Sequence, residues 1–124
     1  EAQNPTFLYF YERRPASDDE TIGATHALEL NPLFGGFIPF WPTDERDDEL
    51  VEHMQGYWTN FAKTGDPNGS NLPTWNAFDA FNAQELALGH ERSYIRPVAR
   101  ADRYQAMAGQ FLRREQTLDP IGSD

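Results

Sequence analysis

At 124 residues, with 39% apolar and 14% aromatic side chains, the chain has the length and bulk for one domain spanning residues 1–124. Twenty acidic against ten basic residues give a net charge of −10, which speaks against nucleic acid and against an anionic membrane surface as partners, because both need clustered Lys and Arg. The absence of cysteine excludes disulfides and thiolate metal sites, and no apolar run reaches the length of a membrane span.

Mean hydropathy is −0.72, yet nine Phe, five Tyr and three Trp fall in clusters, which predicts a folded chain rather than a disordered one. Residues Thr6 to Arg14 read as the clearest strand, with Phe7, Tyr9 and Tyr11 on one face and Leu8 and Phe10 on the other. Being apolar on both faces, it suits a central strand of an α/β sheet, with its neighbours expected outside this chain. Pro15 to Thr21 is a polar loop; its Asp18, Asp19 and Glu20 lack the spacing and glycine turn of a calcium loop. Asn31 to Pro42 reads as an irregular segment packed onto a surface through Phe34, Phe37, Phe40 and Trp41.

Thr43 to Thr64 is the strongest helix. Its first turns carry Asp44, Glu45, Asp47, Asp48 and Glu49, and Leu50, Met54, Tyr57, Trp58, Phe61 and Ala62 form one apolar stripe. Gly65 stops it, and Asp66-Pro67-Asn68-Gly69 makes a turn. Asn68-Gly69-Ser70 also fits an N-glycosylation acceptor. Leu72 to Phe81 reads as extended and anchored by Trp75, Phe78 and Phe81. Gln84 to Glu91 and Ser93 to Val98 are able to pair as a hairpin turning near His90, with Pro97 marking an edge or a strand end. Ala99 to Glu115 is a second amphipathic helix, with Tyr104, Met107, Ala108, Phe111 and Leu112 on one face, before a frayed tail from Thr117.

Three histidines are present. His53 and His90 read as solvated. His26 follows the first strand in a loop with Gly23 and Ala24, small residues that let the backbone bend, at the kind of place where α/β proteins put their sites. No His-x-x-x-His pair occurs, and His26 with Glu29 offers two metal ligands at most. None of the serines, at 17, 70, 93 and 123, lies in the Gly-x-Ser-x-Gly pattern of a nucleophile elbow. Alone, the chain holds a potential general base and nothing for it to deprotonate.

Two blocks carry a resemblance. Gly23, His26, Glu29, Leu33, Phe34 and Gly35 match a Gly-x-x-His-Gly-x-Glu loop followed by an apolar pair and Phe-Gly. Tyr57, Trp58, Asn60, Phe61, Ala62, Gly65, Asp66, Pro67 and Asn68 match a helix-end block, and Leu72-Pro73-x-Trp75 follows in order. In these the chain resembles the C-terminal segment of the type-B carboxylesterases, the cholinesterase-like branch of the α/β-hydrolases. Ala27 departs from the pattern, which has glycine after the histidine; a methyl there is expected to crowd the loop or reshape the pocket wall. Asn76 replaces a proline after Trp75.

The resemblance implies an α/β fold: the C-terminal part of an α/β-hydrolase, with one central strand, the histidine loop, a late hairpin and closing helices, completed by an upstream segment. It implies ester hydrolysis by a serine esterase in which His26 is the catalytic base. The partner would be an N-terminal segment bearing the serine and a Glu or Asp. The substrate would be a small-molecule ester, with no cofactor and no metal. Thr25 and Leu28 are candidates for lining the pocket, and Gly23 and Glu29 for supporting the loop. This chain by itself is expected to be inactive. It begins at Glu1 rather than Met, as a processed product or fragment would. A secreted or periplasmic location fits the family, and a non-catalytic, esterase-like binding or adhesion domain is the competing expectation.

Overall fold

A computed structural model describes residues 4–17, 21–37, 39–79 and 81–117. In chain order the elements are β1 (Tyr9–Tyr11), α1 (Leu30–Leu33), α2 (Glu45–Thr64), β2 (Gln84–Leu88), β3 (Ser93–Pro97) and α3 (Ala101–Thr117). The sheet runs β1-β2-β3. β1 lies parallel to β2, with Tyr9 opposite Leu86 and Tyr11 opposite Leu88, and β2 lies antiparallel to β3, with Leu86 opposite Ile95. Hydrogen bonds from Leu86 N to Leu8 O (2.9 Å) and from Glu12 N to Leu88 O (3.0 Å) extend the parallel pairing beyond the strand ends.

This corrects one expectation: β1 finds a neighbour inside the chain. Its partner β2 is the middle strand of the three, with Leu86, Ala87 and Leu88 fully buried. Continuous burial leaves no period-2 alternation, so Gln84–Leu88 gave no sign that both its edges are paired. β3 ends at Pro97 and forms an edge, as a proline there requires.

α2 forms as its sequence dictates. Asp44 is the N-cap, its side chain accepting from Arg46 N (3.0 Å), and the Asp47 carboxylate closes a capping box on Asp44 N (2.8 Å). Glu45, Asp47 and Asp48 sit in the first turn, where the helix dipole favours negative charge. Gly65 ends it with φ 78°, a left-handed position, and its N–H donates to Phe61 O (2.8 Å). The stripe packs on the sheet: Leu50, Met54 and Tyr57 join Trp75, Leu86 and Leu88 in one core, with Phe7, Tyr9 and Tyr11 against it. Full burial of side chains such as Met54, Leu86 and Leu88 contributes about 1.5–3 kcal/mol each.

Trp75 is the keystone. Its ring meets Phe7, Tyr9 and Tyr57 edge-on at 5.7, 6.1 and 5.3 Å, and its Nε1–H donates to Leu8 O at 3.0 Å. The helix-end block holds it in place. Asn60 Nδ2 donates to the Pro67 and Asn68 carbonyls, while Asn68 Oδ1 accepts from Trp75 N (2.7 Å) and its Nδ2 donates to Trp75 O (3.0 Å) and Asp66 Oδ1 (2.8 Å). The Asn68 amide is thereby committed to structure. Burial raises the Tyr57 phenol to about 12, and its hydroxyl donates to Pro73 O.

Several aromatic anchors expected from the sequence are not buried. Phe34, Phe40 and Phe81 are exposed, and Phe78 is partly so, leaving Trp75 as the buried aromatic anchor of the 72–81 segment. On α3, Tyr104 and Met107 are exposed; the side chains of Phe111 and Leu112 lie outside the described residues, as do Asp18, Asp19, Glu20 and the tail from residue 118. No helix among the described residues is long and apolar enough to cross a membrane.

Candidate active site

The histidine rides on an excursion that leaves the sheet after β1 and returns at the start of α2. Its stems are joined by Ala16 N donating to Pro42 O at 2.9 Å. Beyond a strandless run, residues 26–29 form a turn, with Leu28 N bonded to Thr25 O (3.3 Å) and Leu30 N to Ala27 O (3.3 Å), and the chain passes directly into α1. Leu28 (4% exposed) and Pro32 are the buried anchors of this turn, and Gln55 of α2 reaches Pro32 O at 3.5 Å. His26 and Thr25 are exposed beside each other. The His26 ring has no hydrogen-bond or ion-pair partner among the described residues.

Ala27 is the special backbone position. Its φ is +60°, in the left-handed region that side chains with a Cβ disfavour. The family pattern places glycine here, and the reason is now physical: the turn that presents the histidine needs a left-handed residue next to it. Gly23, by contrast, has a φ outside that region and empty space where a Cβ would stand. The bend expected at Gly23 and Ala24 falls instead at Ala27.

Glu29 is the N-cap of α1 but makes no cap hydrogen bond with its side chain. Its charge reaches the β1 phenols. Burial first, then Glu29, raises Tyr9; burial, Asp47 and Glu29 raise Tyr11, whose buried hydroxyl has no hydrogen-bond partner among the described residues.

The other two histidines are not the solvated residues their sequence context suggests. The His53 side chain is 12% exposed and lies 3.8 Å from Glu49. His90 is half-buried in the β2–β3 turn, with Nδ1 3.0 Å from Arg13 Nη1. Arg13 carries no role that the sequence signals. It is 1% exposed and bidentate to Asp47 at 2.8 and 2.6 Å. A long-range ion pair of this kind leaves no local signature.

Two apolar clefts open on the sheet. One, of about 350 Å³, is walled by Phe7, Tyr9, Trp58, Phe61 and Trp75; the other, of about 420 Å³, lies between Leu8, Phe10, Phe78 and Tyr104. Neither is lined by a residue of the His26 turn. Among the described residues no cluster of three His, Asp or Glu could hold a metal ion.

The exposed histidine thus stands on a tight turn between β1 and α2, backed by a mixed three-stranded sheet and helices. The profile described as "Carboxylesterase family" matches residues 1–111, and the chain belongs to that family. Mouse carboxylesterase 5A is 35% identical over 94 residues, covering 68% of this chain and 16% of that protein. Rat carboxylesterase 1D is 38% identical over 83 residues, 64% of this chain and 15% of the relative. The chain thus spans about one sixth of the length of the relatives it matches. Among solved structures a PNB esterase superposes with a TM-score of 0.67 at 23% identity, over 82% of this chain and 21% of that one, which shows the same fold.

Proposed function

We propose that this chain supplies the general base, His26, to a serine carboxylesterase, and that the nucleophilic serine and the acid of the triad stand on an N-terminal segment outside these residues. The observation that carries this reading is the exposed imidazole of His26, without a partner among the described residues, on the turn after β1 in a chain of the carboxylesterase family. In the assembled site His26 takes the serine hydroxyl proton as the serine oxygen bonds to the ester carbonyl carbon. It then gives that proton to the departing alcohol, leaving an acyl-serine. Water, deprotonated by the same imidazole, releases the acid and restores the serine. The acid orients the imidazole by accepting a hydrogen bond from the ring nitrogen that does not face the serine. Glu29, three residues along the same tight turn, is not assigned that role. We assign Thr25, exposed beside His26, to the substrate side of the turn, and Leu28, buried, to support from beneath. The chemistry calls for no cofactor, and the substrate class is small carboxylic esters.

In the complete protein, His26→Ala is expected to lower turnover by about 10⁴-fold or more while leaving the unfolding transition in place. Near-full hydrolysis by that variant would sink the assignment. Labelling with a serine-reactive organophosphonate, followed by denaturing mass spectrometry, tests the partner: a larger labelled polypeptide, or a longer chain containing this one, is expected. An unlabelled 14.2 kDa chain alone would overturn the enzyme reading in favour of a binding domain.

A further inference from the structure

The His26 excursion, residues 14–43, begins one residue after Arg13 and ends one residue before Asp44, and these two are bonded to each other at 2.9 Å. We propose that Arg13 is a positioning residue for His26: with Asp44, Asp47 and neutral His90 it forms a clamp that closes the base of the excursion, and acid opens it. The inference rests on the esterase reading only for its effect on turnover.

The geometry makes the clamp a single unit. Arg13 is bidentate to Asp47 through Nε (2.8 Å) and Nη2 (2.6 Å), and the same Nη2 reaches Asp44. Asp44 and Asp47 are the N-cap and capping-box residues of α2, so the guanidinium fixes where that helix starts. Its remaining nitrogen, Nη1, donates to His90 O (3.2 Å) and faces His90 Nδ1 (3.0 Å). A guanidinium only donates, so Nδ1 accepts and the ring carries its proton on Nε2. Nε2 lies 3.6 Å from Glu91. One buried cation thus joins the end of β1, the start of α2 and the β2–β3 turn. A planar, five-donor fork is needed for all of these bonds, which lysine cannot supply.

Protonating Nδ1 would remove the acceptor and set two cations 3.0 Å apart. The charged groups facing His90 are Arg13 and Arg14 from the β1 side, Arg46, Glu49 and His53 from α2, and Glu91 and Arg92 on its own turn. Burial, and then the nearby arginines, outweigh Glu91 and hold its titration below the ordinary histidine range. The neutral form, and with it the closed clamp, therefore prevails at neutral pH and is lost as the pH falls through that lowered value.

The test follows protection of the 14–43 backbone by hydrogen exchange in the complete protein, between about pH 5 and 8, alongside kcat and KM. Wild type is expected to lose protection in the excursion at the acid end, before global unfolding. His90→Gln, which offers a carbonyl oxygen that does not titrate, is expected to keep protection there. Arg13→Lys is expected to lose protection at every pH and to lower kcat by about 100-fold with little change in KM. Acid loss of protection in His90→Gln equal to wild type would overturn the proposal, as would normal protection and kcat in Arg13→Lys. If Arg13→Lys does not fold, the His90→Gln comparison decides alone. Exchange is read without substrate, so a failed esterase assignment leaves the protection pattern intact and is recognised separately by the absence of turnover.

Discussion

Ala27→Gly is expected to stabilise the histidine turn. At φ +60° the alanine methyl crowds its own backbone, at a cost of roughly 1–2 kcal/mol for a residue with a Cβ. Glycine removes that cost but enlarges the freedom of the unfolded chain, which takes back about 0.4–1 kcal/mol. The balance is a gain of about 0.5–1 kcal/mol. Ala27→Val runs the other way, because a β-branched side chain is more restricted still in the left-handed region, and a further loss of about 1 kcal/mol is expected. Urea unfolding of the complete protein, followed by tryptophan fluorescence, measures both. With a slope of about 1–3 kcal/mol per molar, the glycine variant should unfold at urea concentrations higher by about 0.2–1 M. A valine variant as stable as the glycine one would refute the reasoning, since it would mean that residue 27 is not held left-handed.

Three more outcomes are expected. Trp75→Phe keeps a ring in the core but loses the bond to Leu8 O, for about 1 kcal/mol, whereas Trp75→Ala costs about 3–5 kcal/mol; equal losses in denaturation would contradict the packing described. Asn68→Asp replaces two donated hydrogen bonds by repulsion against Asp66 and Trp75 O and should cost about 1–3 kcal/mol, and peptide mapping should find Asn68 unglycosylated. Stability should fall with acid in two stages. His90, lowered mainly by burial, gives support that is complete above 6.5 and lost as the pH drops through its lowered value; Asp44, lowered chiefly by its Arg46 hydrogen bond, gives support that is complete above 3.8 and lost below it. An acid titration of unfolding free energy that stays flat through the first stage would contradict the His90 geometry.

Local rules act over a few residues, and what they govern was legible in the sequence. The capping acids, the apolar stripe and Gly65 delimit α2 almost to the residue, because each depends on neighbours within one helical turn. Pro97 ended β3 for a similarly local reason, the missing N–H. The histidine turn was found through its pattern of residues, and its following helix-end block proved to be the scaffold of Trp75. The partner of β1 was not legible: Tyr9 pairs with Leu86 across more than half the chain, and nothing in either segment names the other. Nor was the role of Arg13, which becomes a buried hub only when α2 and the β2–β3 turn converge on it. The sequence by itself determined the two long helices and the hairpin, but not the short helix Leu30–Leu33, which falls where an irregular segment was expected. Tertiary structure alone decided strand order, which charges are buried and which residue of the turn is left-handed, because each depends on groups brought together by folding rather than by position along the chain.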